Sequence, residues 1–283
     1  MQKVAIGFIG GGNMARSLIA GLIASDFDVN RIWVCDHNDL KCNYFSQKYQ
    51  INTTTDAKVL AEHCQVIVLA VKPINMAEVA VEIAQLVRRK KPLIISIAAG
   101  IPIATLESWY GSTMPIVRAM PNTPALLQCG ATGLCHNDNL ADQQISQAEH
   151  ILRSCGVITW VKDESLMDVI TAVSGSGPAY FFRVMELLAD IAVDLGLTEE
   201  QAQLFVVQTA YGAAKMALES SKPLTQLREQ VTSKGGVTQV ALDVFEKHHL
   251  RDMLKEVLME NINHSGVLAD SYREMPKLDY NQS

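Results

Sequence analysis

Short apolar runs without polar alternation recur through the first part of the chain. They are VAIGFI at 4–9, IWVC at 32–35, VIVLA at 66–70, LIISI at 93–97, PIVR at 115–118 and VITWV at 157–161. Runs of this kind read as strands covered on both faces, the pattern of a parallel sheet. Between them, apolar positions recur at helical spacing over 14–25, 39–49, 76–89 and 141–154. Strands and helices alternating in this way predict an α/β fold: a doubly wound parallel sheet with right-handed crossovers.

Beyond about residue 163 the strand pattern stops. Helical periodicity runs through 165–173, 178–195, 199–219, 224–231, 237–248 and 251–275. This divides the chain into an α/β domain over 1–163 and an all-helical domain over 164–283. No Pro/Gly/Ser-rich linker separates them, so close packing of the halves is expected. The segment 199–219 carries small residues on all sides (Ala202, Thr209, Ala210, Gly212, Ala213, Ala214, Ala217) and has no polar face. Such a helix is buried all round, by close helix neighbours or by a second subunit.

Composition narrows the function classes. A chain of 283 residues has room for two domains or one large one with a well-buried core. The formal charge of -6 is mild, and the longest basic run, Arg88 to Lys91, falls at a predicted helix end where cations complement the dipole. Nothing in this favours nucleic acid. No apolar run reaches the ~20 residues of a membrane span, and MQKVAIGFIGGG lacks the apolar length of a signal peptide. The cysteines at 35, 42, 64, 129, 135 and 155 form no CxxC pair and no metal-type spacing. They read as mostly reduced core cysteines of a cytoplasmic protein, and no metal is expected. His248-His249 follows a predicted helix and reads as dipole complementation.

The first strand runs directly into Gly10-x-Gly12-x-x-Ala15, opening a helix. This is a dinucleotide fingerprint in its proper context and marks a Rossmann-type domain. Gly10 permits the tight turn, Gly12 lets backbone approach a pyrophosphate, and Ala15 keeps the helix close to the sheet. The free N–H groups of the helix start then face the phosphates. Asp36, at the end of the second strand, is placed to accept an adenosine ribose, which favours NADH over NADPH. Ala70-Val71-Lys72-Pro73 and Ala98-Ala99 close two further strands, where small residues let a flat ligand lie across the sheet edge. Lys72 reads as a phosphate or ribose contact, or as a surface charge.

Three more segments carry candidate chemistry. Arg118-Ala-Met-Pro-Asn-Thr-Pro124 is a strand ending in a turn that Pro121 and Pro124 stiffen. Ser174-Gly-Ser-Gly-Pro-Ala-Tyr180 precedes an apolar helix, with Pro178 suited to its first turn and bare glycines suited to close approach of a ligand. In VTSKGGVTQ at 231–239, Gly235-Gly236 ends one helix before another begins, with the hydroxyls of Thr232, Ser233 and Thr238 around it. The segment is a corner between helices or a cradle for a small anion.

Taken in order, GFIGGGNMA, AVKP, SIAAG, RAMPNTP, SGSGPAY and TSKGGVT closely resemble the pyrroline-5-carboxylate reductase family, over residue 4 to about 260. The resemblance implies reduction of 1-pyrroline-5-carboxylate to L-proline by NADPH or NADH, the last step of proline synthesis. It implies a Rossmann domain followed by an all-α dimerisation domain that interlocks two subunits, and often a larger ring such as a decamer. The family's cofactor contacts carry onto Gly10, Gly12, Asn13, Met14, Asp36, Ala70, Val71, Lys72, Pro73, Ala98 and Ala99, with Asn122 of the proline-bracketed turn. Its substrate loop carries onto Ser233, Gly236, Val237 and Thr238, with Ser233 and Thr238 in catalytic roles. Glu164 stands where the family places an acid near the substrate.

This chain departs from the family at Lys234, where proline is usual. Lysine adds freedom to the loop and places a cation beside an anion site. A β-hydroxyacid dehydrogenase shares the two-domain plan, but carries a catalytic Lys and Asn on the helix after the Gly-rich segment. Here that helix reads PAYFFRVMELLAD, with neither residue. A nucleotide sensor without catalysis would have no need of the second anion site.

Overall fold

The structure is a computed structural model that describes residues 4–273. Eight strands, β1 (Ile6–Ile9), β2 (Ile32–Cys35), β3 (Asn52–Thr54), β4 (Val66–Leu69), β5 (Leu93–Ser96), β6 (Ile116–Met120), β7 (Gly130–His136) and β8 (Gly156–Trp160), form one sheet. Their order is β3-β2-β1-β4-β5-β6-β7-β8. The helices of this unit are α1 (Asn13–Ala24), α2 (Asp39–Tyr49), α3 (Ala57–His63), α4 (Met76–Lys90), α5 (Ile103–Tyr110), α6 (Asp142–Arg153) and α7 (Leu166–Ile170).

The central strands are apolar on both faces because each face meets its own layer of helices. Alternate residues divide between two cores: Val66, Val68 and Ile95 face one, Ile67, Leu69 and Ile94 the other. Phe8, Phe45 and Leu22 fill the first core, and Trp109, Leu106 and Ile83 the second. Each large aliphatic side chain so buried contributes about 1.5–3 kcal/mol.

The sheet departs from the expected all-parallel arrangement at one place. β7 runs antiparallel to β6, while β8 is parallel to β7. The connection 121–129 is shorter than the dozen or so residues a parallel crossover requires, so the chain reverses. The reversal is made by a single-turn 3-10 segment, Thr123–Leu127, ending at Gln128 in the left-handed region. β7 escapes a search for apolar runs because it reads GATGLCH. At Gly133 a Cβ would stand 2.5 Å from Ile170 Cδ1, so a larger residue there would have to push the Ile170 side chain aside. β3 is three polar residues, NTT, held partly by the Asn52 amide donating to the carbonyls of Asn30 and Ile32. β8 is not covered on both faces: its positions alternate, and Val157 is 67% exposed.

Helix ends follow local chemistry. Asn38 and Asp56 cap α2 and α3 by accepting the N–H groups of Leu40 and Lys58. The basic run closing α4 is largely exposed but engaged. Arg88 donates to the Trp109 carbonyl, and Arg89 and Lys90 pair with Glu62. All six cysteines are free; Cys129 is exposed and the others are buried.

After β8 the elements are helical: α7, then α8 (Gly177–Asp194), α9 (Glu199–Glu219), α10 (Leu224–Gln230), α11 (Val237–Lys247) and α12 (Leu250–Arg273). The last two residues of the helix expected over 251–275 lie outside the described residues. The chain forms two compact units, one ending at Ser176 and resuming at Glu260, the other spanning Gly177–Met259. Residue 163 marks where strands end; the change of unit comes later. Met167 and Ala172 are buried in the first unit, and Ser265 of α12 donates to Asp168 there.

In the second unit α8 and α9 pack together, and Thr198 with Gln201 forms a capping box at the start of α9. Within one chain α9 is not buried all round. Only Ala202 is buried, while Leu204, Phe205 and Tyr211 are about 60% exposed. Phe181 and Phe182 of α8 are exposed as well. Close helix neighbours among the described residues therefore do not account for its apolar surface.

Candidate active site

The β1–α1 turn is shaped by glycine for two separable reasons. Gly10 has φ of +104°, and a Cβ there would stand 2.6 Å from the Ala70 carbonyl oxygen. No other residue fits. At Gly12, by contrast, a Cβ would meet no protein atom within 4 Å. Gly12 is the N-cap of α1 and has no side-chain cap, so the first N–H groups of α1 face outward unshielded. Bare backbone, unpaired donors and the positive end of a helix dipole fit a pyrophosphate.

The turn opens on a cavity of about 640 Å³ at the carboxyl ends of β1, β2 and β4. Of the residues expected at the cofactor, Gly10, Gly12, Asp36, Ala70, Val71 and Lys72 line it. Lys41, Thr55, Asn75, Glu78 and Glu82 line it too, and were not anticipated. Thr55 was hidden because it follows β3, the strand without an apolar signal. Asn13, Met14, Pro73, Ala98 and Ala99 lie at the same strand ends and helix starts but outside that lining; Ala98 is buried and Ala99 exposed.

Asp36 is buried and occupied. Its Oδ2 accepts the Gly11 N–H at 2.8 Å and Lys41 Nζ at 2.9 Å, and its Oδ1 accepts the Asn38 N–H at 3.0 Å. Burial alone would raise its pKa, but these donors outweigh burial and hold the carboxyl below the usual range. The carboxylate thus ties the glycine turn to the start of α2.

Two other expected contacts are committed to protein groups. The Asn122 amide donates to the carbonyl and hydroxyl of Ser174 and accepts the Ala131 N–H, so it braces the proline turn against β7 instead of facing the cavity. Ser174 and Ser176 are bracing residues also, bonded to Ala131 and Asn261. At Gly175 a Cβ would stand 2.5 Å from Met120 Cε, the free end of a flexible side chain. Residues Thr171–Gly175 form a π-helical turn following α7, so the start of the SGSGPAY segment is itself wound. Glu164 accepts Arg118 and the Ile103 N–H, both at 2.8 Å.

In the second unit the 231–239 segment is a corner with an unshielded helix start. Gly235 has φ of +71°, which glycine adopts freely. Gly236 donates its N–H to the Ser233 carbonyl and serves as the N-cap of α11 without a side-chain cap. The Gly236 N–H is therefore engaged, and the open donors are those of Val237, Thr238 and Gln239. The Thr232 hydroxyl is taken by the Arg228 carbonyl. The hydroxyls of Ser233 and Thr238 engage no protein group among the described residues. Lys234 is exposed.

Residues 164–268 match the family model for pyrroline-5-carboxylate reductase dimerisation, and residues 5–100 match that for NADP oxidoreductase, coenzyme F420-dependent. A pyrroline-5-carboxylate reductase of Pseudomonas aeruginosa is 40% identical, over 95% of this chain and 98% of its own. The chain belongs to the pyrroline-5-carboxylate reductase family. Among solved structures, the family member from Coxiella burnetii is 43% identical, with a TM-score of 0.90 over 94% of this chain and 98% of that one. The Plasmodium falciparum pyrroline carboxylate reductase, solved with NADP bound, is 31% identical, with a TM-score of 0.84 over 95% of this chain and 99% of that one.

Proposed function

We propose that this chain reduces 1-pyrroline-5-carboxylate to L-proline with NADPH or NADH, the last step of proline biosynthesis. The observation that carries this reading to the substrate is the α11 start. Three open N–H groups and the unengaged hydroxyls of Ser233 and Thr238 are grouped at the Gly235-Gly236 corner. A small carboxylate is bound there by the N–H donors and the helix dipole, with Ser233 as a further donor. The Thr238 hydroxyl bonds the ring nitrogen, orients it and passes it a proton from water.

Gly10, Gly12, Ala70, Val71 and Lys72 would hold the dinucleotide, which when bound would supply a hydride for the imine carbon. With the ring nitrogen already protonated through Thr238, the C=N π electrons would move to nitrogen and the product would be the amine. A protonated imine is already electrophilic, so no strong general acid is required, and positioning carries most of the acceleration. Asn13, Met14, Pro73, Ala98 and Ala99 belong to the same reading: they lie at strand ends and helix starts where the rest of the cofactor would extend.

The exposed apolar residues of α8 and α9 support a homodimer built through the helical region, and we infer that dimers gather into a ring such as a decamer. No helix among the described residues is long and apolar enough to cross a membrane. Together with buried, reduced thiols this favours a cytoplasmic enzyme. Following NADPH and NADH absorbance with pyrroline-5-carboxylate, and then with 3-hydroxy acids, tests the reading. Oxidation with the imine alone is expected. Turnover of the hydroxy acids, or cofactor binding without turnover of the imine, would overturn it.

A further inference from the structure

We infer that Lys41, held in place by Asp36, is the residue that admits a 2′-phosphorylated dinucleotide, and that Asp36 braces Lys41 instead of accepting the adenosine ribose. This rests on the dinucleotide reading of the cavity. An acidic residue at the end of the second strand ordinarily takes the ribose diol with both carboxylate oxygens and repels a 2′-phosphate. Here the Asp36 side chain is 4% exposed, and three donors already occupy it. A carboxylate has about four acceptor sites, so a bidentate diol would have to displace Lys41 from Oδ2.

Lys41 has the properties Asp36 lacks. Its side chain is 44% exposed and lines the cavity beside Asp36, His37 and Thr55. An ammonium carries three donors, and its hydrogen bond to Asp36 uses one. The salt bridge also fixes where the ammonium stands, which a lone surface lysine would not do.

The charges of the cavity make Lys41 decisive. Lys41 and Lys72 are its lysines; Asp36, Glu78 and Glu82 are its carboxylates, and His37 stands at the rim, its side chain 90% exposed. Without Lys41, a dianionic 2′-phosphate would meet three carboxylates and Lys72. With it, the nearest carboxylate, Asp36, is neutralised at 2.9 Å.

The test is binding, read by titration calorimetry, of adenosine 2′,5′-bisphosphate against AMP and of NADPH against NADH. In the unaltered protein the bisphosphate should bind about tenfold or more tightly than AMP, by a margin that narrows with added salt. Lys41→Gln should weaken the bisphosphate and NADPH about ten- to hundredfold while leaving AMP and NADH within about threefold. Lys41→Arg should keep the preference. Asp36→Asn should loosen both dinucleotides without favouring NADH. Equal affinity of the unaltered protein for bisphosphate and AMP, or a Lys41→Gln variant that loses both cofactors alike or neither, overturns the inference while leaving the dinucleotide reading intact. Failure of every adenosine ligand to bind overturns both.

Discussion

The Arg118 guanidinium donates to Glu164 Oε1 at 2.8 Å, and the same oxygen accepts the Ile103 N–H at 2.8 Å. Arg118 lies in β6 and is almost fully buried, with Asp168 at 3.7 Å as a second carboxylate. Asp168 in turn accepts the Ser265 hydroxyl from α12. Glu164 thereby neutralises a buried cation in the middle of β6.

Replacing Glu164 by Gln should lower the unfolding free energy by about 1–3 kcal/mol, because Arg118 loses its nearest charge while staying buried. Urea unfolding measures this. If Glu164 instead serves the substrate, KM for the imine will rise while stability stays level.

Gly10 and Gly12 should separate fold from ligand. Gly10→Ala forces a positive φ and a 2.6 Å approach to the Ala70 carbonyl, so a loss of about 2 kcal/mol or more in stability is expected. Gly12→Ala meets no protein atom. Its stability should hold or rise by up to about 1 kcal/mol, while the dissociation constant for the dinucleotide rises. Melting curves with and without NADPH distinguish the two.

Thr238→Val removes the hydroxyl and keeps the shape. We expect kcat/KM for the imine to fall about 10- to 100-fold, the worth of one hydrogen bond to a charged group, with NADPH binding unaltered. Thr238→Ser should recover most of the loss. A valine variant with full activity would remove Thr238 from the mechanism.

Asp36 should make stability depend on acid. Its folded pKa lies below the unfolded value of 3.8, so its contribution is fully present above that value and is lost as pH falls through the folded one. The difference in urea midpoint between wild type and Asp36→Asn should be constant from about pH 7 to 5 and shrink below about pH 4. A difference that grows in acid would contradict the geometry.

The thiols should react unequally. Burial pushes Cys35, Cys64 and Cys135 up to about 12, the two flanking carboxylate neighbours Glu82 and Glu164 adding to the effect at Cys35 and Cys135. With Cys129 exposed, one rapidly titrating thiol per chain is expected near pH 8 with a disulfide reagent, and six after denaturation.

Much of this was legible without coordinates. Five strands, β1, β2, β4, β5 and β6, are legible because strong burial leaves runs with no polar alternation, a signal carried by the residues themselves; β8 is legible as an apolar run although its exposure alternates. The glycine turn was equally local: Gly10 and Gly235 take positive φ, which glycine alone adopts without strain. The helices between 178 and 248 match their expected bounds to within a residue because their periodicity is regular. β3 and β7 were missed because their hydrogen bonds are made with neighbouring strands, while their side chains are polar or absent.

What only the tertiary structure decided is which polar groups are already engaged. Asp36, Asn122 and Glu164 each present the right chemistry in sequence, yet each has partners distant along the chain: Gly11, Ala131 and Ser174, Arg118 and Ile103. The same holds for the apolar side chains of α9, whose pattern requires burial but whose own chain leaves them exposed. Sequence specifies what each residue can bond to. Folding specifies what reaches it first, because a buried donor or acceptor left unpaired costs more than a bond gains.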